Sequence, residues 1–243
     1  DDPNITAAIA RNCISGKIAN CRSVLLRAAR DAKDEDRSHR LKLTAKHLVP
    51  ILKRVAKSDD ADVIRGFEGE SASKYFSSFS DLTSVEAFHL KGRSRRPPLD
   101  PINALLSFLY AMLAHDARSA CEACGLDAAV GFLHRDRPGR PGCALDLMEE
   151  FRPVLADRLA FSLINRKQVT QSGFEVTSSG AVRMDDKTRK TVLTAYQTRK
   201  QDTIEHPFLG ERTTMGLLLH LQARLLARHL RGDLDEYPAF IWR

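Results

Sequence analysis

The sequence predicts a mostly α-helical protein, organised as a single multi-helix domain over residues 1–243 with one short β-hairpin near residues 173–184. Two patterns carry this prediction. Long stretches of the chain place apolar residues three and four positions apart, which is the spacing of one face of an α-helix. In contrast, apolar residues of the stretch FEVTSSGAVRM recur at every second position on either side of a Ser-Ser-Gly turn, which is typical of a hairpin.

Local start and stop signals bound the predicted helices. Asp100 and Pro101 combine an N-cap with the residue that suits the first helical position, so a strongly apolar helix starts there and ends before Gly125. Pro50 and Pro153 are expected to kink or interrupt the helices that contain them. The predicted helices cover residues 4–30, 41–55, 61–79, 101–124, 146–163, 186–200 and 211–231.

Composition limits the class of protein. A hydrophobic fraction of 43% is enough to bury a core, and a net charge of +7 favours polyanionic partners such as nucleic acid.

The five cysteines argue against a disulfide framework, and Cys121 and Cys124 are expected to be buried small side chains, with half of a zinc module as the weaker alternative. No stretch has the pattern of a membrane helix or signal peptide, so we expect a cytoplasmic protein with no membrane partner.

The stretch from 131 to 153 concentrates residues that suit a metal site. His134 lies in a loop rich in glycine, proline and arginine, and Asp146 and Glu149 are three positions apart on the helix that follows, so both carboxylates can face the same way. One imidazole with carboxylates suits Mg²⁺ or Mn²⁺ better than zinc. Glu68 lies on a largely apolar helix face, where an unpaired carboxylate is costly and a partner is expected.

Basic residues flank these candidate ligands and predict contacts with phosphate. Three arginines of the His134 loop would face an anionic substrate, and four basic residues of the loop 89–99 would contact a nucleic-acid backbone without reading its sequence. For that second loop a merely solvated basic surface is the alternative. The residues concerned are Arg135, Arg137 and Arg140, then Lys91, Arg93, Arg95 and Arg96.

Three sequence blocks together resemble one known family. They read GFEGESASKYF, RSRRPPLDPINALLSFLYAML and GFLHRDRPGRPGCALDLMEEFRP. Their order and spacing are similar to those of the catalytic integrase and endonuclease subunit of CRISPR spacer acquisition. The resemblance extends to IARNCISGKIANCRSVLLR near the start and to YPAFIWR at the end, and so covers essentially the whole chain.

The resemblance implies a metal-dependent catalytic domain in which Glu68, His134 and Glu149 bind Mn²⁺ or Mg²⁺. Members of the family often have aspartate at the last position, so Glu149 is a conservative departure, and Asp146 would orient a ligand or bound water. Tyr75 would position the scissile strand, and Arg65 joins the basic residues named above as a DNA contact. The family also has a small β-rich domain ahead of the helical one, which is expected to be absent from this chain.

The resemblance also implies a reaction and its partners. The expected activity is phosphodiester cleavage and strand transfer that insert spacer DNA into a CRISPR repeat array, as part of antiviral defence. The expected partners are spacer-precursor and repeat DNA, a small adaptation subunit and, in the intact protein, a second copy of the chain. Two alternatives remain: a helical metal-dependent nucleotide phosphohydrolase with the same ligands, and a non-catalytic helical DNA-binding scaffold with a buried polar network.

Overall fold

The computed structural model describes residues 2–242 and is mostly helical, as predicted. The chain forms eight α-helices and two short hairpins within those residues. The helices are α1 (Pro3–Asp31), α2 (Glu35–Val55), α3 (Ala61–Ser77), α4 (Pro101–Ala123), α5 (Gly142–Glu149), α6 (Arg158–Asn165), α7 (Asp186–Lys200) and α8 (Leu218–Leu230).

Aspartate side chains start several of these helices. Asp34, Asp60 and Asp100 lie in extended backbone just before α2, α3 and α4, and each accepts at least one hydrogen bond from a backbone N–H group of the first turn. Such caps satisfy donors that have no partner inside the helix. The predicted start of the apolar helix at Asp100-Pro101 is therefore confirmed.

Helices α1 and α4 are the long core elements, and the candidate site is built on the first. Helix α1 packs against α2, α3 and α5, while α4 packs against α5, α8 and the first hairpin. The buried face of α1 includes Ile14, Ile18 and Leu25, which are fully or almost fully excluded from solvent. Because α3 and α5 both pack on α1, polar residues on its face can meet side chains from two separate helices.

A π-helical segment, Arg152–Asp157, separates α5 from α6. Pro153 falls in its first turn, where its missing N–H is tolerated but cannot continue the hydrogen-bond ladder of α5. The break predicted at Pro153 is thus confirmed. A wide turn of this kind changes the direction in which the following side chains project, and such turns are frequent at functional sites.

The strand content differs from the prediction in one respect. The hairpin predicted near 173–184 is present as β1 (Phe174–Val176) paired with β2 (Val182–Met184), but a second hairpin follows, β3 (Thr203–Glu205) with β4 (Arg212–Thr214). The prediction of a single hairpin was therefore wrong, as was the start of the last helix, which begins at Leu218 and not at residue 211. Strands of three mostly polar residues carry too little alternation to be recognised.

The cysteines are free thiols, in keeping with the prediction. Cys121 is buried against Cys143, with 3.8 Å between the sulfur atoms, and Cys124 is partly buried near α8. Within residues 2–242, no helix combines the length and apolar character needed to cross a membrane.

Candidate active site

Two of the predicted metal ligands meet on the buried face of α1. Glu68 projects from α3 and Glu149 from the last turn of α5, and the ammonium group of Lys17 lies between them. The Lys17 Nζ atom is 2.5 Å from Glu68 Oε1 and 2.6 Å from Glu149 Oε2. The structure therefore brings these two acids together, as predicted, but around a lysine that the sequence reading did not select.

Arg152 completes the charge balance around Glu149. Its Nη1 atom is 2.6 Å from Glu149 Oε1, so each oxygen of this carboxylate faces a cation. Burial alone would raise the pKa of Glu149, but the charges of Arg152 and Lys17 outweigh it and lower the pKa to about 2. Glu149 is consequently ionised at neutral pH although its side chain is only 4% exposed.

The pKa of Lys17 responds to the same pair of acids. Burial lowers it, and the charges of Glu149 and Glu68 raise it by more, so the net shift is upward from 10.5. The ammonium is therefore fully charged near neutral pH. A buried lysine with two carboxylates within ion-pair distance is a compensated charge, whereas any one of the three groups alone would be costly to bury.

Asp146 holds the His134 loop in place. Its carboxylate accepts hydrogen bonds from the backbone N–H groups of Phe132 (2.6 Å), Leu133 (2.9 Å) and His134 (3.1 Å), and it lies 2.5 Å from His134 Nδ1. These contacts fix both the loop and the ring of His134, leaving Nε2 as the second ring nitrogen. The role predicted for Asp146 in orienting a ligand stays a prediction with this geometry behind it.

Two glycines allow the His134 loop to close on the start of α5. A Cβ atom added to Gly131 would lie 2.2 Å from the His134 carbonyl oxygen, and one added to Gly142 would lie 2.7 Å from the Ala129 carbonyl oxygen. No side chain fits at such distances, so both positions require glycine. The close approach of backbone at these glycines brings His134 back toward the acids of α5.

A basic cavity of about 450 Å³ opens beside the acids. Glu68 and His134 line it together with arginines from three parts of the chain. The arginines are Arg65, Arg95, Arg135, Arg137 and Arg140. An anion that enters this cavity meets several positive charges and one edge of the acidic pair.

Some of the predicted DNA-binding residues make contacts within the protein, and others face solvent. Arg65 donates to the Leu133 carbonyl and pairs with Asp62, which also pairs with Arg135 at 2.8 Å, so these two arginines fasten the His134 loop to α3. Arg93 donates to Asn103 Oδ1 at 2.5 Å and lies over the Tyr110 ring, so it anchors its own loop. Lys91, Arg95, Arg96 and Arg137 are exposed, and Arg140 is partly buried.

Tyr75 is located in the core and not on the surface. Its side chain is 2% exposed and packs edge-on against Phe79, with 5.0 Å between the ring centroids. Burial raises the pKa of its hydroxyl, as does the nearby charge of Asp157. This position gives no support to a direct contact between Tyr75 and a scissile strand, because no solvent-facing part of the ring is available.

Sequence reasoning missed Lys17 and Arg152. Lys17 follows Ile14 by three residues and precedes Cys21 by four, so the helical spacing places it on the apolar stripe of α1. A charged residue on such a stripe needs a buried partner, and that signal was available. Arg152 follows Glu149 by three residues, a spacing that permits a direct ion pair.

The residues fit a hard divalent ion by their chemistry. Since a single Nζ atom contacts both, Glu68 Oε1 and Glu149 Oε2 are at most about 5 Å apart, and carboxylate oxygens are the ligands that Mg²⁺ and Mn²⁺ prefer. Glu149 Oε2 is buried and makes no hydrogen bond of good geometry within residues 2–242. Over that same range no three acidic, histidine or cysteine side chains already converge as ligands, so the predicted set of three stays a prediction.

Several known proteins are similar to this chain in sequence or in fold. The family model described as CRISPR associated protein Cas1 matches residues 1–198. A CRISPR-associated endonuclease Cas1 from Chlorobaculum tepidum is 52% identical over 245 residues, covering 100% of this chain and 71% of that protein. A casposase bound to integration product shares the fold, with a TM-score of 0.85 and 22% identity, over 100% of this chain and 69% of that one.

A third similar protein was solved as part of an assembly. It is the matching chain of a partial Cas6-RT-Cas1–Cas2 complex, with a TM-score of 0.83 and 26% identity, over 100% of this chain and 70% of that chain. The helical fold, the acids beside a basic cavity and these relatives define a CRISPR-associated endonuclease. The chain belongs to the Cas1 family. The predicted family and class of enzyme are confirmed, and a spacer-integrating endonuclease fits all of these findings.

Proposed function

We propose that this chain cleaves and joins DNA phosphodiester bonds with Mn²⁺ or Mg²⁺ held by Glu68, His134 and Glu149, and thereby inserts spacer DNA into a CRISPR array. The observation that carries the proposal is the meeting of Glu68 and Glu149, from separate helices, beside a cavity lined by arginines. When bound, the ion would activate a water or a DNA 3′-hydroxyl and stabilise charge on the attacked phosphate.

The chain's own residues prepare this reaction before DNA arrives. Asp146 fixes the His134 ring through Nδ1, so that Nε2 is the nitrogen available to a ligand. Arg152 holds Glu149 ionised and in one orientation. The exposed arginines Arg95 and Arg137 provide contacts to phosphate that do not depend on base sequence. Affinity for DNA and the chemistry of cleavage would thus come from different residues.

Similar proteins support two of the proposed partners. Similarity to a chain of a Cas1–Cas2 complex supports binding to a small second subunit of that kind, and similarity to a casposase bound to its product supports binding to DNA. A homodimer is our prediction from the family resemblance, and a cytoplasmic location is our prediction from the sequence pattern.

The test compares two glutamates of α3 that are two positions apart. Glu68→Gln should lower Mn²⁺-dependent cleavage of a branched DNA duplex at least about a hundredfold, because a catalytic metal supplies several kcal/mol of transition-state stabilisation. DNA binding measured across a salt series should be unchanged, since arginines supply it. Glu70→Gln is the matched control, because Glu70 pairs with Arg54 at 2.6 Å on the surface.

Other outcomes of this experiment discriminate the alternatives. Cleavage by Glu68→Gln at the rate of the unaltered protein would reject the proposed site. Hydrolysis of mononucleotides without cleavage of DNA would identify a nucleotide phosphohydrolase. DNA binding with no cleavage under any metal condition, by the unaltered protein, would identify a scaffold.

A further inference from the structure

Lys17 is the buried cation that the family resemblance did not assign. Its side chain is 7% exposed, and its ammonium contacts the two oxygens, Glu68 Oε1 and Glu149 Oε2, that face each other across the candidate site. Glu149 already has a cation on its other oxygen, supplied by Arg152. Lys17 is therefore not needed to balance Glu149 alone, and its distinctive contribution is to join Glu149 to Glu68.

The position of the ammonium conflicts with a metal ion on the same oxygens. A divalent ion bound to both carboxylates would lie about 2 Å from each oxygen, in the space between them. The Lys17 ammonium lies in that space, 2.5 and 2.6 Å from the same atoms. The two cations would overlap and would repel each other strongly in a site that excludes most water.

We infer that Lys17 is an internal counter-ion that holds Glu68 and Glu149 together in the metal-free protein and competes with the divalent ion for them. This inference rests on the proposed function, since it takes the two acids as metal ligands. Without Lys17, two carboxylates that share a buried space would repel each other, and the site would be less ordered before the ion binds. Binding of the ion would then require the ammonium to leave at least one of the two oxygens.

A binding measurement with Mn²⁺ alone tests the competition. Lys17→Met keeps the length of the buried stem and removes the charge. The variant should bind Mn²⁺ at least about tenfold more tightly than the unaltered protein in calorimetric titration, because one repelling charge has been removed. Its melting temperature without metal should be lower than that of the unaltered protein, and the increase caused by Mn²⁺ should be larger.

Lys200→Met is the matched control for the lost ion pair. Lys200 contacts Asp116 at 2.7 Å, and both side chains are about a quarter exposed. This variant also loses a lysine–carboxylate pair, but its Mn²⁺ affinity should equal that of the unaltered protein. An equal or weaker affinity for Mn²⁺ in Lys17→Met would overturn the inference. Failure of the unaltered protein to bind Mn²⁺ would instead overturn the proposed function, and the inference with it.

A second measurement uses the unaltered protein, so it does not depend on how well the variant folds. Crystals of the protein soaked in Mn²⁺ should show an anomalous peak between Glu68 and Glu149, with Lys17 Nζ more than about 4 Å from at least one of the two oxygens, beyond ion-pair distance. An anomalous peak on these carboxylates, with Lys17 still in contact with both of the same oxygens, would contradict the competition. Absence of any peak at the acids would count against the proposed function itself.

Discussion

Glu149 and Glu150 are consecutive residues, both almost completely buried, and their environments shift their pKa values in opposite directions. Glu149 faces Lys17 and Arg152, and these charges lower its pKa to about 2 despite its burial. Burial raises the pKa of Glu150 to about 7, and its hydrogen bonds offset only part of that effect. At the end of α5, Glu149 therefore stays ionised at neutral pH, whereas its neighbour Glu150 takes up a proton near pH 7.

The partners of Glu150 explain the difference. It accepts hydrogen bonds from the Tyr237 hydroxyl (2.7 Å), the Phe240 backbone N–H (2.6 Å) and Gln222 Nε2 (3.1 Å), all of which are uncharged donors. Uncharged donors satisfy a buried carboxyl without compensating its charge. Glu150 therefore attaches the segment after α8 to the end of α5, whereas Glu149 faces the candidate site. Charged partners thus distinguish Glu149, which we propose as a metal ligand, from Glu150, whose partners are neutral.

Asp157 belongs with Glu150 in this comparison. It is 1% exposed and accepts a hydrogen bond from the Tyr110 hydroxyl at 2.5 Å. Burial raises its pKa to about 6, although this hydrogen bond and the nearby charge of Arg152 act in the opposite direction. The pKa values of Asp157 and Glu149 differ because Arg152 forms its ion pair with Glu149 and not with Asp157.

Of the three carboxyl substitutions, Glu149→Gln should have the largest effect on stability and activity. The change leaves Arg152 and Lys17 facing a neutral amide, and loss of one partner from a buried ion pair typically costs about 3–5 kcal/mol. We expect a decrease of this size in the free energy of unfolding, measured by urea denaturation at pH 7.5, together with loss of metal-dependent cleavage. A loss below about 1 kcal/mol would show that the Glu149 charge is not compensated as the distances indicate.

The sequence predicted the local features of this molecule better than the charge cluster. Caps such as Asp100 and the break at Pro153 depend on residues within a few positions, so they could be predicted from the sequence alone. The contact of Lys17 with Glu149 depends on how α1 and α5 pack, and no local rule specifies it. The family resemblance selected Glu68, His134 and Glu149, but it could not show that a lysine lies between the two acids.

The same limit applies to residues predicted from residue type or from the family resemblance. Arg93 and Arg65 belong to basic segments and were predicted to bind DNA, yet hydrogen bonds to Asn103 and to the Leu133 carbonyl hold them in place. Tyr75 lies in a family motif, but the packing of α3 buries it. Arginines and tyrosines suit both roles, and only tertiary contacts separate them.

Titration of Asp157 should give an intermediate effect, a pH dependence of the free energy of unfolding. Its pKa is about 6 in the folded protein and 3.8 in the reference state, so between these values the folded form binds more protons than the unfolded form. The contribution of Asp157 to stability is therefore complete below about pH 4, and falls as pH rises to about 6, by at most about 1.4 kcal/mol per pH unit.

Asp157→Asn should remove that slope. The amide oxygen can still accept from the Tyr110 hydroxyl, and no proton is lost as pH rises. We expect the free energy of unfolding of Asp157→Asn, relative to the unaltered protein, to increase from pH 4 to pH 6 and to be constant from pH 7 to pH 8. Parallel curves from pH 4 to pH 8 would mean that Asp157 titrates alike in the folded and unfolded states.

Glu150→Gln should give the smallest effect. At pH 7 the carboxyl is close to its pKa of about 7 and is only about half ionised, so a neutral side chain of the same shape removes about half a unit of charge, against a full unit at Glu149. The amide oxygen can keep the hydrogen bonds from the Phe240 N–H and Gln222, while the Tyr237 hydroxyl must turn to accept from the new amide group. We expect a loss of about 1 kcal/mol in the free energy of unfolding, the usual net value of one hydrogen bond.

Cleavage activity separates Glu150→Gln from Glu149→Gln most clearly. Glu150 makes its contacts with the segment after α8 and not with the cavity, so its change should leave the Mn²⁺-dependent cleavage rate within about threefold of the unaltered protein, a difference of less than about 1 kcal/mol in the barrier. If both variants lost activity to the same extent, Glu150 would be as important to the chemistry as its neighbour, and charged partners would no longer distinguish the two.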